Sequence, residues 1–405
     1  MVTGDGAYIK KINRSLILKT IIEHGMISRA ELAKITGLNK ATISIQVAAL
    51  LEEDLIYETQ QEHNAVGRRP IMLSIKRDVG YVLGIDLDYK EIQYTLSDLL
   101  GYPVHHEKIF LDSEDYEEIV LLLVEHIQKY HKNCSHSRYG LISTVIGIHG
   151  TVNKEEEDIF FIPRYKWHSK SLKSDLKEKV NFDLNIHIEN NANLSSYAEK
   201  VYHYHKSDNL LNIILSSGIG AGIMVDGHIH KGYHGYAGEM GHMIISPEGA
   251  LCKCGNHGCW ELYAAEPRLY EQLAQRLDKP VITQNEFYNL VNEKHPIVYE
   301  EMEIFIKYLS IGLNNIINLY NPETIVLNSE VLQAYPNVIE KIKGNLVSSV
   351  SQYGEIVLSK LGKDACIMGA CAIAIQNFFE VPELIFSDSE KHIPFTNHKI
   401  EILNN

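Results

Sequence analysis

The stretch "GYVLGIDLDYKEIQYTLSDLLGYPV", residues 80–104, alternates as a pair of strands, and together with the segments downstream of it decides the fold. "EDYEEIVLLLVEHIQKYHKN" (114–133) has helical spacing, and "LISTVIGIHGTVN" (141–153) is an apolar strand running into a glycine turn. "LNIHIENNANLSSYAEKVY" (184–202) reads as strand, turn and helix. "LLNIILSSGIGAGIMVDGHIHKG" (210–232) reads as a strand, a glycine-rich turn and a second strand. Strands alternating with helices predict an α/β architecture. Two such halves, meeting near Lys206, predict a bilobed body with a cleft.

A chain of 405 residues has room for two or three domains. No apolar run reaches the roughly 18 residues of a membrane span. Charges interrupt the apolar positions of the N-terminus and no small-residue cleavage site is present, so no secretory signal is read and cytoplasmic residence is expected. The formal charge of −14 argues against wholesale affinity for nucleic acid. Its sign is unevenly divided, however. Residues 1–77 hold 11 Lys+Arg against 8 Asp+Glu, and the remainder 27 against 44. A mildly basic head on an acidic body points to a DNA-reading N-terminus.

From Asn13 to His24, Leu16, Ile17, Leu18, Ile21 and Ile22 recur at helical spacing, and Gly25 stops the helix. Ser28 and Glu31 then form the reciprocal S-x-x-E capping pair of a short helix, Arg29 to Ile35, closed by Gly37. Leu38 and Asn39 lead into a second helix with a buried stripe of Ile43, Val47, Leu50 and Leu51. Two short helices about a glycine turn form a helix-turn-helix unit, whose second helix can enter a major groove. Arg29, Asn39, Lys40, Thr42, Ser44 and Gln46 are its candidate contacts to bases and phosphates. "LIYETQQEHNAVGRRPIMLSI" (55–75) then predicts two strands and a loop, a wing whose Arg68 and Arg69 suit phosphates or a narrow minor groove.

Of the six cysteines, Cys134, Cys252, Cys254, Cys259, Cys366 and Cys371, three fall within eight positions. That is the wrong distribution for a disulfide framework and suits metal ligation. Cys252, Cys254 and Cys259 have C-x-C-x4-C spacing, with His242 ten residues upstream and His257 inside the knuckle as the competing imidazole. Three thiolates and one imidazole complete a tetrahedral zinc sphere with no open position for an activated water, so a structural zinc is expected.

The chain resembles the ROK family (repressors, open reading frames, kinases) along nearly its whole length, and within it the xylose repressors of Gram-positive bacteria. The resemblance is carried by "IKKINRSLILK", "ISRAELAKITGLNKATIS", "GRRPIML", "IENNAN", "SSGIGAGI", "GEMGHM", "CKCGNHGCWELYA" and "NPETIVL". It implies an actin-like, two-lobed sugar-binding body, assembled as a homodimer or a dimer of dimers, and it favours His242 over His257 as zinc ligand. It also implies a sugar-binding set of Asn190, Asn191, Glu239, His242 and Glu261. The metal would fix the loop so that Glu239 and Glu261 are held as acceptors for sugar hydroxyls.

Departures from the family's kinases are as informative. Their Gly-Gly-Thr phosphate turn is replaced by Leu87, Asp88 and Tyr89 after Asp86. Bulky and acidic residues obstruct and repel a polyphosphate. Asn191 stands where the kinases have an aspartate general base, and an amide is no base near neutral pH. Asn328 and Ser329 stand where they have a glycine-rich nucleotide turn. No enzymatic activity is therefore expected.

The sequence thus predicts a winged helix-turn-helix DNA-binding domain (1–77), an actin-like first lobe (78–206), a second lobe with the zinc motif (207–380) and a C-terminal tail (381–405). The resemblance implies a repressor of xylose-use genes that binds palindromic operator DNA and is released by xylose, with glucose as a candidate competitor. One alternative is a ROK sugar kinase, ATP-dependent and hexokinase-like, that keeps a DNA-binding head. Another is a zinc- or redox-sensing regulator working through the cysteines.

Overall fold

The computed structural model of the chain describes residues 6–60 and 70–386. These divide into two compact units, one of residues up to Leu194 together with those from Cys366 onward, the other Ser195–Ala365. The sequence places the lobe boundary near Lys206. The contacts place it earlier and return the C-terminal helix to the first unit.

The first unit begins with three helices, α1 (Gly6–His24), α2 (Arg29–Thr36) and α3 (Lys40–Glu52). Both halves of the Ser28–Glu31 capping box form, and α2 ends at Gly37 in the left-handed conformation with φ 69°. Ile17, Leu18, Ile21, Leu32, Ile43, Val47 and Leu50 are fully buried where the three helices meet. A small antiparallel sheet flanks them, order β1-β3-β2, from β1 (Ile27–Ser28), β2 (Ile56–Gln60) and β3 (Ile71–Ile75). Arg138 and Tyr139 of the body hold this head by bonds to the carbonyls of Glu52 and Glu53.

The body of this unit is a five-stranded sheet, order β11-β7-β4-β5-β6. Its strands are β4 (Tyr81–Asp88), β5 (Glu91–Asp98), β6 (Pro103–Phe110), β7 (Leu141–Ile148) and β11 (Asn185–Asn190). Strands β4, β7 and β11 are mutually parallel, so their carboxyl ends share one edge. Helices α4 (Tyr116–Asn133) and α5 (Leu172–Lys179) join the strands. A satellite sheet of β8 (Thr151–Val152), β9 (Ile159–Ile162) and β10 (Trp167–Lys170) lies between β7 and α5 in the chain.

Strand alternation sorts the two faces of β4. Leu83, Ile85 and Leu87 enter the core with Ile119, Val120, Leu123 and Ile127 of α4. Gly84 and Asp86 face the other way, toward α13 (Ala365–Phe379). A Cβ on Gly84 would lie 2.7 Å from the Ile367 carbonyl oxygen. That close approach is why the last helix belongs with this sheet and not with the residues that precede it.

In the second unit, a sheet of order β14-β13-β12-β15-β16 is built from β12 (Leu210–Ile214), β13 (Gly220–Val225), β14 (His228–Ile229), β15 (Thr324–Asn328) and β16 (Glu355–Leu358). Helix α6 (Asn191–Tyr202) carries the chain into this unit. Helices α7 (Glu261–Ala264), α8 (Glu266–Arg276), α9 (Gln284–Asn292), α10 (Pro296–Tyr320), α11 (Glu330–Ala334) and α12 (Val338–Asn345) complete it. Trp260, Phe287, Leu309, Leu313, Ile316, Ile325 and Leu327 are central to one continuous core. Among the described residues, no helix is long and apolar enough to cross a membrane.

Candidate functional site

Helix α3 begins at Asn39, whose Oδ1 accepts the Thr42 amide at 2.8 Å. Asn39, Lys40 and Ser44 are exposed and Thr42 is half-buried, as the sequence predicts for a groove-facing surface. Arg29 is half-buried and paired at 2.5 Å with Glu58 on β2. Gln46 departs from the expectation. It is 4% exposed and donates its amide to the Lys10 carbonyl at 3.1 Å, so it fastens α3 to α1 instead of reading bases. A neighbouring residue of α3, whose apolar type gives no such signal in the sequence, is instead exposed. Ile45 is 64% exposed on the outer face of α3, where an apolar side chain can meet thymine methyls. Arg68 and Arg69 lie outside the described residues, as does the tail beyond residue 386.

At the carboxyl edge of the first unit's sheet, polar groups converge from separate strands. His149, just past β7, brings Nε2 to 2.8 Å from Asp86 Oδ1 and Nδ1 to 3.3 Å from Asp88 Oδ1. Burial opposes a charge on His149. The Asp86 carboxylate outweighs it, by charge and by hydrogen bond, and with Asp88 pushes the imidazole pKa up to about 9. The Asn191 amide nitrogen lies 3.3 Å from Nδ1 of the same ring. Asn190 is engaged locally: it donates to the Gly150 carbonyl at 2.8 Å and accepts the amides of Ala192 and Asn193 at the start of α6.

The β4–β5 turn bears directly on phosphate chemistry. Leu87 and Asp88 remain paired to Ile92 and Glu91, so the strands run on to a tight turn at Tyr89 and Lys90. The two turn amides are already engaged, Tyr89 N with Asp88 Oδ1 at 2.6 Å and Lys90 N with the Tyr165 hydroxyl at 3.3 Å. Neither of these amides points outward to cradle an anion. Asn328 and Ser329 are likewise internal: Asn328 donates to the Gly362 carbonyl, and Ser329 caps α11 and bonds Glu266.

In the second unit, residues 242–259 fold into a knuckle held by bonds between Ile245 and Gly258, Cys252 and Asn256, and Gly258 and Ala250. His242, Cys252, Cys254 and Cys259 place their ligand atoms within 4.8 Å of one another and could hold a metal ion. Cys254 Sγ is 3.6 Å from Cys259 Sγ, and Cys252 Sγ is 3.6 Å from His242 Nδ1. A tetrahedron with metal–sulfur bonds of about 2.3 Å has edges of about 3.8 Å, so the donor set fits. His257 is turned away and bonds the Gly249 carbonyl at 3.1 Å.

Two carboxylates flank this knuckle, as the sequence predicts. Glu261 Oε1 lies 3.3 Å from Cys252 Sγ and 3.5 Å from His242 Nδ1. Glu239 Oε2 lies 3.9 Å from His242 Nε2. Partial burial raises the Glu239 pKa, His242 lowers it and Glu261 raises it further. The Ser216–Gly222 turn belongs to the same constellation, because a Cβ on Gly218 would sit 2.9 Å from Glu261 Oε2. One imidazole therefore turns Nδ1 toward Cys252 and Glu261 and Nε2 toward Glu239. Within this unit, that sets two carboxylates beside the candidate metal ligands.

A profile of the ROK family matches residues 82–377. The chain is 36% identical over 386 residues to a xylose repressor of Bacillus subtilis (strain 168), covering 94% of this chain and 99% of that one. It is similar to a solved ROK family transcriptional regulator, a homolog of the E. coli MLC protein, with TM-score 0.78, 26% identity and coverage of 92% and 97%. A ROK family glucokinase from Streptomyces griseus, solved with glucose and AMPPNP, superposes with TM-score 0.64 over 73% of this chain and 100% of its own. At 23% identity the latter speaks to fold alone.

Proposed function

The chain belongs to the ROK family, and from that premise we propose that it is a xylose-responsive transcriptional repressor, active in the cytoplasm as a homodimer or a dimer of dimers. The observation that carries this reading is the β4–β5 turn. Turn amides engaged internally support a sugar-binding body that lacks this phosphate cradle, in which occupancy acts as a signal. Asn191, an amide facing His149, supplies no base for a sugar hydroxyl.

In this reading α3 enters a major groove, with Lys40, Thr42, Ser44 and Ile45 toward the DNA and Arg29, Arg68 and Arg69 toward phosphates. A dimer would set two such helices on the half-sites of a palindromic operator. Glu239, His242 and Glu261 accept xylose hydroxyls. Asn190 and Asn191 of the first unit are further proposed sugar-binding residues, each tested by its own substitution. Zinc held by His242, Cys252, Cys254 and Cys259 would fix the knuckle; it supplies no chemistry beyond that bracing. Sugar releases DNA only through a difference in affinity between two states, of about 1–3 kcal/mol.

The test combines calorimetry of the full chain with xylose and glucose, an operator mobility-shift assay, and a coupled ADP-release assay with both sugars and ATP. Xylose binding that weakens operator affinity, with no ADP release, is the expected result. Operator affinity unchanged at saturating xylose would defeat the inducer assignment, and sustained ADP release would restore the kinase alternative.

A further inference from the structure

Asp86, His149 and Cys366 come from three distant parts of the chain, yet their ligand atoms lie within 4.8 Å of one another in the first unit. We propose that they form a second metal site, one that takes a divalent transition-metal ion of the zinc class and is separate from the cysteine knuckle of the other unit.

Four structural features carry this. The donor set is a carboxylate, an imidazole and a thiol, a mixture that suits zinc or cobalt and not the all-oxygen preference of magnesium or calcium. Asp86 is 5% exposed and Cys366 is 5% exposed, so these are enclosed groups and not solvated surface ones. The imidazole has the orientation of a metal ligand: Nδ1 faces the Asp88 carboxylate at 3.3 Å, which leaves Nε2 directed at Asp86. A ligating histidine characteristically gives its other ring N–H to such a carboxylate. Finally, room has been made for the thiol. Gly147 is paired with Asp86 across β4 and β7, and a Cβ there would lie 2.4 Å from Cys366 Sγ. The glycine is what lets a cysteine from α13 reach the carboxyl edge of this sheet. Three protein ligands leave a fourth position for water or a small ligand.

An ion here would pin the first turn of α13. Beyond the other end of that helix, Glu380 and Glu383 pair with Lys11 and Lys19 of α1 in the head, while Phe378 packs on Tyr139 of the body. The competing arrangement holds no metal: a charged imidazole between two carboxylates, with the thiol donating to Asp86.

The test is a titration of the full chain with Co2+, followed by absorbance, and with Zn2+, followed by metal analysis after gel filtration. About two ions per chain are expected for the wild type. Cys366→Ser and His149→Gln should each retain about one, the former with a weaker thiolate-to-cobalt charge-transfer band. Cys254→Ser should lose the knuckle ion and keep the other. Circular dichroism of each variant verifies that it is folded, and His149→Gln, at a less buried position, keeps the test valid if Cys366→Ser does not fold. About one ion in the wild type, lost in Cys254→Ser and unchanged in His149→Gln, would overturn the proposal.

Discussion

The cysteine knuckle of the second unit and the Asp86–His149–Cys366 group of the first are both clusters of metal-ligating side chains, assembled in opposite ways. The knuckle draws its donors from eighteen consecutive residues, His242 to Cys259, folded by a few backbone bonds. The other cluster draws its donors from β4, the end of β7 and the start of α13, and exists only once the sheet and its last helix have packed. A loop made by local chemistry would depend on an ion; an assembled cluster depends on the fold. The two should therefore fail differently.

The largest difference is expected at Cys254. Its side chain is exposed, so by packing alone a serine there would change stability by no more than about 0.5 kcal/mol. As a ligand of a structural ion it is part of a binding free energy of about 10–16 kcal/mol in comparable small zinc domains. Cys254→Ser should therefore lower the thermal midpoint of the second unit strongly and abolish xylose binding with it, as read by calorimetry. A variant that melts like the wild type would show that the knuckle stands without metal.

Next in size is a group assembled across the second unit, Glu199 on α6. It is buried, with Oε1 bonded by the Ser359 hydroxyl and the Leu361 amide and Oε2 without a partner. Burial pushes its pKa up to about 7 from an ordinary 4.5, against the lowering effect of those bonds. A folded pKa above the unfolded one means the native state holds the extra proton. Its stabilisation is complete below about pH 4.5 and is lost as the pH rises to about 7, a change of about 3 kcal/mol. Glu199→Gln should flatten the pH dependence of the denaturation midpoint between those limits, and an unchanged slope would mean the carboxyl is ionised in the fold.

Glu261 joins the two kinds of cluster, since one carboxylate borders the local knuckle and the assembled Gly218 turn. Glu261→Gln keeps its shape and changes a carboxylate proposed to accept sugar hydroxyls into an amide. A charged hydrogen bond of about 1.5–3 kcal/mol corresponds to xylose affinity weakened by about 10- to 150-fold, with the melting temperature little changed. Equal losses in both would mean that Glu261 supports the knuckle and does not touch the sugar.

The same contrast governs what can be read in the sequence. The capping box at Ser28 and Glu31, the glycine end of α2 and the C-x-C-x4-C spacing are short-range patterns, and each reappears in the structure. Helix α1 extends ahead of Asn13 to Gly6, through a first part whose apolar residues Tyr8, Ile9 and Ile12 are exposed and bury no face. The β4–β5 departure from a phosphate turn is visible as residue types, but the engagement of its amides by Asp88 and Tyr165 is not. His149 reads in sequence only as part of a glycine turn, since nothing in the chain near it announces Asp86 or Cys366. Residues so far apart in the chain have no spacing to recognise.

Gln46 is the instructive miss within the head, and it yields the smallest of the expected effects. An amide on a recognition helix invites the reading that it pairs with adenine. Yet residue 46 stands three positions after Ile43 and four before Leu50, on the buried stripe itself, and periodicity outranks chemistry there. Its one bond to the Lys10 carbonyl joins α3 to α1. Gln46→Ala should cost about 1–2 kcal/mol of head stability by leaving that carbonyl poorly satisfied. Relative affinity for operator base substitutions should not change. Ser44→Ala and Ile45→Ala should do the reverse, shifting base preference with stability intact. If Gln46→Ala alters preference at a single operator position while the melting curve stays fixed, the side chain leaves its pocket on DNA, and the assignment of the reading face must move by one residue along α3.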